Sequence, residues 1–212
     1  MKIHRIIGGI LESNGYIVSS QEEHDDCFII DPGYVPKKYI KYVKEHDLNV
    51  QGILLTHHHY DHVGGAERIQ KELDCPIMIH RLDADSCLKH VDEYLEDGDV
   101  LETGGTSAAD GGVRLLVKNT PGHTKGSICL ISEKDRVAFT GDTIFNIDLG
   151  RTDLEDGSYT EMTRSIINIV DKWPNDMTIY PGHGDPATMK TVRKINLEYL
   201  QIMEDYNNQE QL

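Results

Sequence analysis

Residues 56 to 65 read THHHYDHVGG, and the six positions from His57 to His62 hold four histidines and one aspartate. The stretch follows a short apolar run, GILL at 52 to 55, and is closed by Gly64 and Gly65. A continuous apolar run of this length fits a strand buried on both faces. Polar rings crowded just past the end of such a strand need a chemical reason, because a buried polar group without a partner is costly. His57 and His59 stand at i and i+2. In extended backbone both rings point the same way and can face one cation. Asp61 and His62 follow after a turn and can face a second point nearby. The same alternation turns His58 away. Imidazole and carboxylate together suit zinc, iron or manganese.

Outward from this stretch, short apolar runs alternate with helical patterns. Residues 3 to 11, 16 to 19 and 27 to 30 read as strands, the last closed by the turn Asp31-Pro32-Gly33. Residues 36 to 47 read as a helix begun by Pro36. A second helix after Gly65 places Ala66, Ile69 and Leu73 on one face. PIMIH, VRLLVKN, SICLIS, RVAFTG and TIYPG read as further strands. Ser158 and Glu161 form a capping box for a helix with Met162, Ile166, Ile169, Val170 and Trp173 on one stripe, stopped by Pro174. A closing helix carries Val192, Ile195, Tyr199, Ile202, Met203 and Tyr206 as a core stripe, and the tail NNQEQL reads as frayed. Residues 81 to 112 are polar and irregular, with no element assigned.

This order predicts an α/β layered protein with mixed sheets. His57, His123, Asp142 and His183 each fall just after a strand, where ligands bind in open α/β sheets. Gly122, Gly141 and Gly182 stand directly before the last three, so the backbone can turn sharply there. His4, His24, His46, His80 and His90 read as ordinary histidines.

The chain has 212 residues and a formal net charge of -15. That length fits one domain over residues 1–212. Such an acidic chain has no electrostatic footprint for a nucleic-acid backbone. No apolar run approaches the roughly 20 residues of a membrane span. MKIHRIIGGIL reads as a first strand rather than a signal peptide. Cys27, Cys75, Cys87 and Cys129 are widely spaced, which predicts reduced thiols in a cytoplasmic protein and no thiolate metal site.

THHHYDHVGG, PGHTKGS, TGDT and YPGHGD, in this order, resemble the metallo-β-lactamase fold superfamily. The resemblance implies a four-layer αβ/βα sandwich, two mixed sheets flanked by helices. It implies that His57, His59 and His123 hold a first metal and Asp61, His62 and His183 a second, with Asp142 bridging. Two divalent ions per chain follow, zinc by preference, with iron or manganese as alternatives. Many β-lactamases of this superfamily carry arginine where this chain has His62. Flavodiiron proteins carry glutamate at the place of His59. RNase Z members bring an RNA-gripping arm for which no segment here is a candidate.

What remains resembles the short glyoxalase II-like hydrolases. There the stretch matching Gly150-Arg151-Thr152-Asp153 supplies a basic residue to the substrate, here Arg151. An ion pair between Arg151 and Asp153 is the competing reading. The C-terminal helical domain that completes a glutathione site is not expected in this chain. The implied reaction is attack of metal-bound hydroxide on a thioester or related ester, with Asp61 orienting the nucleophile. Lactone opening fits the same centre. Persulfide dioxygenases resemble this branch too, with one iron on residues matching His57, His123 and Asp142. A small-molecule thioester or ester is the expected partner, with no nucleic acid and no membrane; the oligomeric state is left open.

Overall fold

The computed structural model describes residues 1–20, 25–86, 88–104 and 112–209. His24, Cys87, Gly105, Gly111 and the final Glu210, Gln211 and Leu212 of the tail lie outside the described residues. The first sheet holds, in spatial order, β1 (Lys2–Gly8), β2 (Ser13–Ser19), β3 (Asp26–Ile30), β4 (Asn49–Leu55), β5 (Ile77–His80) and β6 (Glu93–Leu95). Its first three strands are antiparallel neighbours, and β3 through β6 run parallel. The second sheet holds β7 (Val100–Glu102), β8 (Arg114–Asn119), β9 (Ile128–Ser132), β10 (Val137–Gly141), β11 (Thr178–Pro181) and β12 (Ala187–Thr188). Only its β10–β11 pair is parallel. Six helices complete the described residues: α1 (Pro36–Glu45), α2 (Tyr60–Val63), α3 (Ala66–Leu73), α4 (Tyr159–Asn168), α5 (Met189–Ile195) and α6 (Leu197–Gln209).

Alternation along the strands sets the layers. In β4, Ile53 and Leu55 face outward into a core with Tyr39, Val43 and Ile69 of α1 and α3. Leu54 faces the other way, into a core shared with Leu130 and Phe139 of the second sheet. In β9, Ile128 and Leu130 join that central core, while Cys129 and Ile131 face Met162, Ile166 and Val192 under α4 and α5. The result is helices, sheet, sheet, helices, the four-layer αβ/βα arrangement of two mixed sheets that the family resemblance implies.

Several boundaries differ from the sequence reading. β1 ends at Gly8, and Ile10 and Leu11 stand exposed in the turn that follows, where Gly9 takes φ +72°. The region 81 to 112 contains a 3-10 turn over Arg81–Asp83 and the three-residue strands β6 and β7. The closing helix is broken at Asn196, whose amide donates to Phe145 O and Asp148 O while its Oδ1 accepts from Tyr199 N. That break exposes Ile195, which the periodic pattern placed in the core, and keeps Val192, Tyr199 and Ile202 buried. Ser158 caps α4 by accepting from Glu161 N, but Glu161 pairs with Arg164, so only half of the expected capping box forms.

Cys27, Cys75 and Cys129 are free and buried. Burial pushes their thiols up, to about 12 for Cys27 and about 11 for each of the others. No helix among the described residues is long and apolar enough to cross a membrane.

Leu54→Ala removes a side chain with no exposure from the core between the sheets. It should cost about 2–5 kcal/mol of stability in denaturant unfolding of the metal-free protein. Leu197→Ala, at a 74% exposed position, should stay within about 0.5 kcal/mol of wild type.

Candidate metal centre

The loops that leave β4, β8, β10 and β11 converge at one end of the sandwich. Two sets of donor atoms meet there, each within 4.8 Å: His57, His59 and His123, and Asp61, His62 and His183. A third set of the same kind joins Asp31 with His57 and His62. Asp142 reaches both main sets, with carboxylate oxygens 3.3 Å from His123 Nε2, 3.4 Å from His62 Nε2 and 3.7 Å from His183 Nε2.

Two backbone features permit this convergence. Gly141, just before Asp142, has φ +47°, and a side chain there would collide with Thr56. At Gly182, just before His183, a Cβ would collide with Asp142 Oδ1 and crowd His62. Close approach of three strand ends therefore requires glycine at these points.

Hydrogen bonds decide which nitrogen of each ring faces inward. Thr56 Oγ1 donates its proton to Asp31 Oδ2 at 2.6 Å, so it accepts from His57 Nδ1 at 3.0 Å. His57 Nε2 is left as a lone pair, fully buried and without a partner. His123 Nδ1 donates to Arg151 O at 2.7 Å, and His183 Nδ1 to Leu11 O at 3.1 Å. His62 Nδ1 donates to Asp31 Oδ2 at 3.2 Å. Four rings thus spend one proton outward and turn Nε2 inward. His59 presents Nδ1 instead, 2.8 Å from His123 Nε2.

The second set is close to an equilateral triangle. Its edges are 3.3 Å from His62 Nε2 to His183 Nε2, 3.3 Å from His62 Nε2 to Asp61 Oδ2 and 3.2 Å from His183 Nε2 to Asp61 Oδ2. Ligands at about 2.0–2.1 Å on a tetrahedral ion stand roughly 3.3 Å apart. The donor set therefore fits a divalent cation at each cluster: inward lone pairs, no thiolate, and carboxylates on one side.

The two clusters shift their rings in opposite directions. Burial lowers the His62 pKa, but the Asp142 charge and hydrogen bonds to Asp31 and Asp61 outweigh it and hold the ring well above its usual value. His183 is also raised, burial being outweighed by its hydrogen bond to Asp61 and the charge of Asp142. Burial would raise the Asp61 carboxyl, yet hydrogen bonds with His183 and His62 hold it far below the usual carboxylate range. In the first cluster the direction reverses. Burial, then the neighbouring imidazoles, push His57 well down and His59 down to about 4.

Two aspartates outside the predicted set brace the ligands. Asp31 is buried and accepts from Thr56 N, Thr56 Oγ1 and His62 Nδ1. Its signal was available, a polar residue directly after an apolar strand, but the following Pro-Gly makes it read as a turn. Asp83, 1% exposed, joins the two loops of the first cluster. It accepts from His58 N at 3.1 Å, Thr124 Oγ1 at 2.7 Å and Gly126 N at 2.6 Å, and lies 3.0 Å from His58 Nδ1. His58 thus braces the loop and belongs to neither donor set. Nothing local in the irregular 81 to 112 segment marks Asp83 for this part.

Arg151 stands apart from the donor sets. Its guanidinium grips Asp153 at 2.7 and 2.9 Å, the ion pair weighed against substrate binding. It lines a cavity of about 460 Å³ beside the ligand loops, together with Asp148, Asp153, Tyr159 and Glu198. His4 stacks on Tyr42, His80 caps the 3-10 turn, and His90 pairs with Asp92, so these rings serve local structure.

The chain belongs to the metallo-beta-lactamase superfamily, whose family model matches residues 8–183. It is similar to the hydroxyacylglutathione hydrolase GloC of Haemophilus influenzae, 31% identical, over 82% of this chain and 88% of that protein. Among solved structures it is similar to the BLEG-1 B3 metallo-beta-lactamase, with a TM-score of 0.81, 27% identity and coverage of 92% of this chain and 98% of that one. It is also similar to TTHA1623 in a di-iron-bound form, with a TM-score of 0.77, 27% identity and coverage of 91% and 98%. These relatives make the chain one of a family of metal-dependent hydrolases.

Two outcomes follow from the geometry. His62 and His183, raised in the metal-free chain, must lose a proton to take a cation, so lowering the pH favours the proton at that cluster. His57 and His59, depressed, stay neutral and keep their ion. Metal analysis after equilibration should therefore show the second cluster losing its ion before the first as the pH falls. Asp31→Ala should weaken metal binding at the second cluster by about 10–100-fold in chelator competition.

Proposed function

We propose that this metallo-beta-lactamase superfamily chain is a dinuclear-metal hydrolase of thioesters or related esters. In this reading His57, His59 and His123 hold one cation and Asp61, His62 and His183 the other, with Asp142 between them. The observation that carries it is the pairing of two separate donor sets by one carboxylate, Asp142, within 3.4 Å of each. A closed structural site uses four ligands on one ion. Seven donors in two sets instead suit two ions with positions left open for water and substrate.

A cation pair supplies an acidified water and Lewis-acid stabilisation of a carbonyl oxygen. The residues of the chain do the remaining work. Asp61 stays ionised and presents its carboxylate between His62 and His183, placed to orient the attacking water. Asp31 holds the His62 ring directly and the His57 ring through Thr56, while Asp83 ties together the loops that carry the first cluster. A thiolate departs without a strong general acid, which suits a centre built from ligand-type side chains alone.

The cavity beside the centre bears on the leaving group. Its wall sets Asp148, Asp153 and Glu198 against Arg151, and Asp153 already holds the guanidinium. A substrate carboxylate has to displace Asp153 to reach Arg151. This favours thioesters and esters, lactones included, whose recognition does not rest on an anionic handle. Zinc is the proposed metal, with iron the main competitor, since TTHA1623 was solved with two irons.

The test is metal content on chain expressed without added metal, followed by a panel of thioesters, aryl esters and lactones. The proposal expects two ions per chain and turnover of at least one thioester. Asp61→Ala or His59→Ala should lower kcat at least about 100-fold with unchanged far-UV circular dichroism. One iron per chain with oxygen uptake on a persulfide would overturn it, as would near-wild-type turnover in either variant.

A further inference from the structure

A second cavity, of about 680 Å³, opens on the outer face of the second sheet, between β8, β9 and the turn that follows α4. Arg136 on its wall stands at the start of β10, whereas Asp142 follows the end of that strand. At 3.3 Å per residue this puts the Arg136 wall roughly 20 Å from Asp142. None of its lining residues belongs to the donor sets.

Its chemistry runs against the rest of the chain. Lysine and arginine number 21 and acids 36 in the whole sequence. Yet the cavity wall carries Lys118, Lys134, Arg136 and Lys172 with only Glu133 as a carboxylate. Each of these cations has an interaction partner; Asp97 lies 3.2 Å from Lys118, Asp171 3.3 Å from Lys172 and Asp176 3.9 Å from Arg136. Exposed pairs of this kind are weak and exchange readily. The floor is apolar, made of Leu116, Ile131, Ile169, Trp173 and Met177. Asp171 O and Trp173 O, carbonyls that would repel an anion here, each accept from Arg193 Nη2.

We infer that this cavity is a binding site for a small amphiphilic anion, a carboxylate or phosphate head on an apolar body. The basic rim takes the head and the Trp173 floor takes the body. The volume lies inside the range of about 300–1,000 Å³ that ligand pockets occupy. The inference stands apart from the hydrolase reading, because the two sites share no residue.

Trp173 is the one tryptophan of the chain, so selectively excited tryptophan fluorescence reads this wall alone. Metal-loaded protein is titrated with octanoate and octyl phosphate below their micelle concentrations, and with octanol and octyltrimethylammonium as controls. Calorimetry runs in parallel. A saturable response to the two anions, at least tenfold tighter than to either control, supports the site. The double variant Lys118→Glu, Lys172→Glu should weaken the anions at least tenfold and leave hydrolysis unchanged. Equal affinity for octanol, or a double variant that binds as wild type, overturns it. So does co-sedimentation with phosphatidylglycerol vesicles in the absence of any octanoate or octyl phosphate binding, which would make the basic rim a membrane contact.

Discussion

Where the imidazole protons go governs the rest of this structure. Each neutral ring has one N–H and one lone pair. His57, His62, His123 and His183 each give the N–H to an oxygen on the outer side, so their lone pairs turn toward one another. Leaving a buried polar atom unsatisfied costs about 1–3 kcal/mol. Two facing lone pairs need a positive charge between them, whether proton or metal. The sheets, the glycines at strand ends and the bracing carboxylates all serve to bring those lone pairs together against that cost.

The bracing has a division of labour. Asp31 sits at the end of β3 and Thr56 at the end of β4, so their hydrogen bonds tie neighbouring strands of one sheet and fix both His57 and His62. Asp83 acts between sheets. It links the loop after β4 with the loop after β8, the two that carry the first cluster. His183 is anchored by Leu11 O in the turn after β1, and Asp61 O accepts from Ser13 Oγ at the start of β2. The first hairpin thus holds the second cluster in place, and the 3-10 turn holds the first.

Much of this was legible in the sequence because the informative elements are locally consistent. GILL could be read as a buried strand since both of its faces meet apolar cores, and the polar residue after each of four strands marked one end of the sandwich. The resemblance then supplied the ligand sets. What stayed hidden has physical causes. Glu93–Leu95 and Val100–Glu102 are too short to show a period of two and owe their pairing to neighbours distant in sequence. Asn196 breaks a helix whose apolar spacing runs on unbroken, because its amide finds better partners in the loop after β10. Asp83 is recognisable only by what it touches, and those contacts lie 25 and 41 residues away.

The two clusters differ in ways that set their chemistry apart. The first is three imidazoles, with His57 wholly buried and His123 nearly so. The second replaces one imidazole by Asp61 and lies nearer the surface, with the His183 side chain 28% and the Asp61 side chain 14% exposed. Imidazole donors suit zinc and iron, while carboxylate donors extend the range toward manganese. In the proposed reading a cation in the first cluster would meet three uncharged imidazoles and, as its one carboxylate, the shared Asp142. One in the second meets Asp61, the shared Asp142 and, through His62, Asp31. Those negative charges stabilise a dication and equally draw protons onto His62 and His183 when it leaves. The second cluster is the outer of the two, more exposed and richer in carboxylates. The inner one stays fixed by the strands that deliver it.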